Sequence, residues 1–130
     1  MKYLVVLVIF LLDRITKELA ERKILSLGSS DSILSFSLVH NYGAALGIDI
    51  PLFLLIILSI VAMICLFVIF ERDPFLGMGF ILGGLLGNLY DRVFYGYVID
   101  FIYIKNFYVF NLADVFITVG GVMVFLKLIK

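Results

Sequence analysis

Residues 51–70 read PLFLLIILSIVAMICLFVIF, twenty positions without a charged side chain. At about 1.5 Å of rise per residue, a helix of this length crosses the roughly 30 Å hydrocarbon core of a bilayer. Pro51 suits its first turn, where the N–H that proline lacks would have no partner in any case. Cys65, the single cysteine, lies inside the run, has no disulfide partner in the chain, and is expected to serve packing. Just beyond, Glu71, Arg72, Asp73 and Pro74 make a connection so tight that the next helix must return antiparallel beside this one. That next helix is expected over 75–95, apolar and glycine-rich until Asn88, Asp91 and Arg92, and another over 112–129, ending near Lys127 and Lys130. Toward the N-terminus, 3–20 reaches spanning length only by carrying Asp13, Arg14 and Lys17 in its last third.

Composition agrees with a lipid-embedded chain. Of 130 residues, 64% are hydrophobic and 15% charged, and the mean hydropathy is +1.21, outside the range of soluble domains. Ten basic and ten acidic side chains cancel, which argues against nucleic acid as a partner. The opening stretch resembles a signal peptide in its charged start and short apolar core. No small-residue cleavage site follows, and Asp13, Arg14, Thr16, Lys17 and Glu18 continue at helical spacing, so the segment is expected to be retained. The expectation is one integral membrane domain over 1–130, all-α, with four transmembrane helices.

Two segments read differently. Residues 33–39 alternate apolar positions with Ser35 and Ser37, the period of a strand, and 97–110 is rich in aromatic and β-branched residues with a turn signal at Lys105 and Asn106. Both fall on the same side of the helices and predict a small β-sheet or cradle there. Tyr95, Tyr97, Tyr103 and Tyr108 fit either an interfacial belt or packing within that sheet.

In a chain this apolar, polar groups are costly and therefore informative. Gly84, Asn88, Asp91 and Arg92 recur at three- and four-residue intervals, which places them on one helix face; Gly79, Gly83 and Gly87 make a second face that another helix can approach closely. Asp91 and Arg92 read equally as an ion pair at a helix end. Asp13 and Lys17, four residues apart, are expected to pair in a mainly structural role. His40 stands alone among residues 40–45, HNYGAA, and reads as an interfacial histidine.

Two acids remain. Asn111 is a plausible N-cap, and Asp114, three residues on, would complement the positive helix end, so capping alone accounts for it. It does not account for Asp100, which interrupts the apolar run 98–104 and needs a partner, a proton or water. Two carboxylates ~4 Å apart repel by about 4 kcal/mol at an effective dielectric of ~20, so one of a close pair holds a proton. That division suits peptide hydrolysis by water, with the ionised member, expected to be Asp114, as base and the protonated one as acid. No cluster of His or Cys ligands implies a metal, and no cofactor is expected.

Five segments in order, DRITK at 13–17, NYGAA at 41–45, GGLLGNLYDR at 83–92, GYVIDF at 96–101 and NLAD at 111–114, resemble the lipoprotein signal peptidase family, the type II signal peptidases. The resemblance implies a four-helix aspartyl endopeptidase of the bacterial inner membrane, both termini cytoplasmic and the sheet extracytoplasmic. Such enzymes remove the signal peptide from diacylglyceryl-modified prolipoproteins, cutting before the lipidated cysteine. Residue by residue it implies Asp100 and Asp114 as catalytic; Asn88, Asp91, Arg92, Asn111 and Ala113 as shaping the site; and Asn41 and Gly43 as part of a cradle for substrate. It also implies contact with membrane lipids and sensitivity to globomycin-type inhibitors. Asp91 is the rival to Asp100, set second because the adjacent Arg92 would hold it ionised. The chain departs from the family pattern in being short, with thirteen residues between Asp100 and Asp114.

Charge counting alone points the other way round. Lys2, Arg72, Lys127 and Lys130 fall on the side of the termini, whereas Arg14, Lys17, Arg22, Lys23, Arg92 and Lys105 fall toward the sheet. Two other functions fit intramembrane charges: a small ion-coupled transporter or channel, which predicts polar groups along the whole bilayer depth, and a structural subunit whose charges merely pair.

Overall fold

The computed structural model describes residues 2–23, 25, 32–45 and 48–130, with the side chains of 44, 45, 48 and 49 left aside. Four helices account for most of them: α1 (Lys2–Glu21), α2 (Leu52–Arg72), α3 (Leu76–Phe94) and α4 (Leu112–Leu128). Between them lie β1 (Leu34–Asn41), β2 (Ala44–Ala45), β3 (Ile48–Asp49), β4 (Val98–Ile104) and β5 (Val109–Phe110).

α3 is the hub, packing against α1, α2 and α4. Its glycines set the distances. A Cβ built on Gly83 would stand 2.6 Å from Ile9 Cβ and 3.0 Å from the Val6 carbonyl oxygen, and one on Gly87 would collide with the Asp13 carboxylate. The stripe of small residues thus seats α1, while Gly84, on another face of α3, lies against the Ala113 carbonyl of α4. A modest apolar cluster of Phe70, Met78 and Leu82 fills the opposite end of the bundle, where Lys2 pairs with Glu71 at 2.8 Å and Lys127 with Asp73.

Burial is inverted relative to a soluble protein. Lys17, Asn111, Asp13 and Asp91 are the largest fully buried side chains, while apolar residues cover the outside. α2 buries only Phe70, and Cys65 is exposed on it, so the packing role expected for that cysteine is not met inside the chain. α2 packs mainly on α3 and touches α1 only at its C-terminal end, where Tyr3 meets Phe67 and Phe70, which leaves most of its surface to face outward. Among the described helices α2 alone is long and apolar enough, by composition, to cross a membrane. α4 has 17 residues, and α1 and α3 carry charges in their final turns.

Those charged ends meet the sheet. β1, β4 and β5 form an antiparallel sheet in that order, with Val39 opposite Asp100, Asn41 opposite Val98, and an irregularity between Phe36 and Val39. The β4–β5 hairpin turns at Lys105 and Asn106, the latter at φ 64°, a left-handed conformation that asparagine tolerates. β2 pairs with β3 separately. His40, on β1, donates from Nε2 to Glu21 Oε1 at 2.7 Å and stacks on Tyr97 at 4.2 Å between ring centroids.

Candidate active site

Two layers of polar groups occupy the sheet end of the bundle. The deeper layer joins α1 to α3. Lys17 Nζ donates to Asn88 Oδ1 at 3.0 Å and forms ion pairs with Asp13 Oδ2 at 2.8 Å and Asp91 Oδ2 at 2.7 Å; the Asp13 contact is electrostatic alone, since its Oδ2 receives no aligned donor. Asp91 Oδ1 accepts from Arg14, whose guanidinium lies over the Tyr90 ring at 4.7 Å, and Asp91 Oδ2 also accepts from the Ile99 N–H of β4 at 3.1 Å. Asp13 Oδ1 accepts from the Ala113 N–H at 3.0 Å, one of the donors at the start of α4 that the helix itself leaves unpaired. Two acids and two bases thus balance within a closed network.

The second layer contains Asp100 and Asp114, and two asparagines join them. Asn111 caps α4: its Oδ1 accepts from Asp114 N–H at 3.0 Å, while Asp114 Oδ2 accepts from Asn111 N–H at 3.2 Å, a reciprocal capping box. With its oxygen so committed, Asn111 turns Nδ2 toward Asp100 Oδ1 at 2.7 Å and Asn88 Oδ1 at 3.1 Å. Asn88 in turn accepts from Lys17 and Asn111, which leaves its Nδ2 to donate to Asp114 Oδ1 at 2.9 Å. On the far side, Asn41 Nδ2 donates to Asp100 Oδ2 at 3.0 Å, and Asn41 Oδ1 is held by the Gly43 N–H at 2.9 Å. Gly43 has φ 111°, and a Cβ there would stand 2.6 Å from Leu55 Cδ1, so only glycine makes this turn without displacing α2.

The acids differ in setting. Asp100 is 3% exposed on β4, and burial pushes its pKa up to about 6, with the Asp114 charge adding to the rise and the amides of Asn41 and Asn111 opposing it. Asp114, half-buried in the first turn of α4, sits at a positive helix end. Each of the four carboxylate oxygens has one amide N–H donor, so the pair is oriented by fixed dipoles while its open side remains available. Arg92 is half-buried, and its Nη1 lies 3.4 Å from Ser59 Oγ of α2.

The structure corrects three points of the sequence reading. The close cations of Asp91 are Arg14 and Lys17, not the adjacent Arg92, because successive helical residues point about 100° apart. Arg14 was given no site role, yet it closes the Asp91 network; its partner is 77 residues away, beyond any local signal. Ser59, within the uncharged 51–70 run and given no role there, accepts from Arg92 at 3.4 Å. Among the described residues no group of three or more His, Cys, Asp and Glu side chains is arranged to hold a metal.

Comparison with known proteins places these features. A family model described as Signal peptidase (SPase) II matches residues 5–130. The lipoprotein signal peptidase of Clostridium novyi (strain NT) is 40% identical over all of this chain and 98% of its own length. That of Aquifex aeolicus (strain VF5) is 41% identical over 92% of this chain and 80% of its own. A bacterial membrane enzyme solved by the in meso method at 2.3 Å resolution superposes with a TM-score of 0.86 at 26% identity, covering 99% of this chain and 87% of that one. These matches leave the transporter or channel reading without support, and the chain belongs to the signal peptidase II family.

Proposed function

We propose that the protein is an aspartyl endopeptidase that removes the signal peptide from diacylglyceryl-modified prolipoproteins, cutting before the lipidated cysteine, with Asp100 and Asp114 as its catalytic pair. The observation that carries this reading is the bridging of the two carboxylates by Asn88 and Asn111, at 2.9 Å to Asp114 and 2.7 Å to Asp100. Ionised Asp114 takes a proton from a water molecule as its oxygen attacks the scissile carbonyl, and protonated Asp100 donates to the carbonyl oxygen. As the resulting diol collapses and the C–N bond breaks, Asp114 passes its proton to the leaving amine and ionised Asp100 takes one from a diol hydroxyl, which leaves the carboxylic acid product and restores both side chains. Asp91 is the weaker candidate, since two cations and the Ile99 N–H already occupy its oxygens.

All four helices cross the bacterial inner membrane on this reading, with both termini cytoplasmic and the sheet outside. Support comes from the ion pairs. Arg14 and Lys17 neutralise Asp91 and Asp13, and Arg92 is half-buried against Ser59 inside the bundle, so these three do not act as topology signals. Setting aside the other ion-paired cations by the same rule, Lys2, Arg22 and Lys127, leaves Lys23 and Lys105 against Arg72 and Lys130, an even count that no longer points to the reverse orientation. Asn41 and Gly43 form the cradle beside the pair, and a globomycin-type cyclic peptide would compete for the same opening.

The test is cleavage of a purified diacylglyceryl-modified prolipoprotein in detergent. Asp100→Asn and Asp114→Asn are expected to lose at least about a thousandfold in rate while remaining folded, the scale seen when a member of a catalytic set is removed. Cleavage persisting in either variant overturns the assignment, and loss confined to Asp91→Asn transfers it to Asp91.

A further inference from the structure

An open groove of about 560 Å³ runs between α1 and the end of α3, and neither the carboxylate pair nor its asparagines line it. On α1, Phe10, Arg14, Glu18 and Arg22 recur every fourth position and so share one face, and Tyr90 and Tyr95 form the opposite wall. From Phe10 to Arg22 the helix rises about 18 Å, close to one leaflet of a bilayer whose hydrocarbon core is roughly 30 Å thick. The charged side chains lie toward the sheet end of that span and Phe10 at the other, with Ile15 and Leu19 along the flank. Leu7, Leu11 and Ile15 carry an exposed apolar surface down the same side of α1, so the groove opens toward lipid.

The charges decide the occupant. Arg14 is held from one side: Nη1 donates to Asp91, and the guanidinium lies 4.7 Å from the Tyr90 ring centroid and 5.7 Å from that of Tyr95, while its other N–H groups meet no acceptor among the described residues. Glu18 Oε1 accepts from Arg22 Nε at 2.7 Å, which leaves Glu18 Oε2 and the terminal Arg22 nitrogens unengaged among the same residues. The groove thus offers spare donors at two positions and a spare carboxylate oxygen midway between them. Asp91 and Glu18 each offset one arginine, so nothing here favours a simple anion. A headgroup of both signs answers every group, a phosphate for the arginines and an ammonium N–H for Glu18. Phosphoglycerol lacks the cation, and the quaternary nitrogen of phosphocholine has no N–H to donate. We infer that the groove seats one phosphatidylethanolamine of the leaflet on the sheet side, with its phosphate between Arg14 and Arg22, its ammonium on Glu18 and one acyl chain running past Ile15 to Phe10. The site requires only that α1 and α3 stand in a bilayer, and it holds whichever reaction the carboxylates perform.

Native mass spectrometry of the full chain tests this, after titration in detergent with dioleoyl phosphatidylethanolamine, phosphatidylglycerol or phosphatidylcholine. Wild type is expected to retain one phosphatidylethanolamine about fivefold more tightly than either other lipid, the scale of one or two exposed ion pairs. Glu18 and Arg22 have side chains 53% and 68% exposed, so replacing them leaves the packing of α1 intact. Glu18→Gln is expected to remove the advantage over phosphatidylglycerol, and Arg22→Gln to weaken all three lipids about threefold, whereas Arg72→Gln at the other end of the bundle changes neither. No retained lipid, equal affinity for the three in wild type, tighter binding of phosphatidylglycerol, or a preference that survives Glu18→Gln or is lost in Arg72→Gln overturns the inference. Independently, phosphatidylethanolamine with a diazirine midway along one acyl chain is expected to label α1 near Phe10 and Ile15; labelling confined to α2 or α4 overturns it.

Discussion

Asp100 has its proton affinity set by its own burial and by four neighbours, Asn41, Asp114, Asn111 and Lys17. Its raised pKa, about 6, means that the folded protein holds this proton more tightly than the unfolded chain. Its contribution to stability is therefore fully present below pH 4 and falls as pH rises through about 6. Part of the rise comes from Asp114, and removing that charge has a definite sign: in Asp114→Asn the Asp100 carboxyl is expected to titrate below its wild-type value. Difference infrared spectroscopy of the protonated carboxyl stretch checks this, and an unchanged or higher midpoint would show the two groups to be uncoupled. The asparagines make the pair more than two nearby acids, because each amide oxygen is engaged elsewhere and so each N–H is presented to a carboxylate.

Among the elements, α3 is held at its place by what its glycines omit. Gly83→Val would push Ile9 and the backbone of α1 away, and is expected to lower stability by about 1–3 kcal/mol. Gly121→Ala in α4 meets nothing within 4 Å and is expected to raise it by roughly 0.5–1 kcal/mol through helix propensity. Unfolding in detergent micelles, followed by circular dichroism, measures both; equal effects would separate the glycine stripe from helix packing. Much of this level was legible beforehand. The uncharged run at 51–70, the three-residue interval from Asn111 to Asp114 and the small residues every fourth position are local patterns, and α2, the capping box and the α1–α3 seam follow from them. The partners of Lys17 at 88 and 91 were not legible, since they lie across a helix interface more than seventy residues on. Nor was the register that sets Val39 against Asp100, because an irregularity in β1 shifts it.

For the whole molecule, orientation is the property with the sharpest test. In a Cys65→Ser background, Lys105→Cys at the β4–β5 turn is expected to react with a membrane-impermeant maleimide in spheroplasts. Lys130→Cys is expected to react only after permeabilisation, and the opposite pattern would invert the proposed topology. The buried charge network has a consequence for how the chain reaches the membrane. Arg14 lies 77 residues ahead of its partner Asp91, and at ~5–20 residues per second that is roughly 4–15 s of synthesis. During that interval α1 exists without α3; Asp13 and Lys17 can pair within the helix, but Arg14 lacks its acid, and the cost of leaving it in lipid, about 2.5–3.5 kcal/mol at a helix centre, is an upper bound in the last third of α1. The first helix is therefore a poor membrane segment until the third is made. Insertion becomes a delayed, pairwise event in which the α3 sequence decides whether α1 stays.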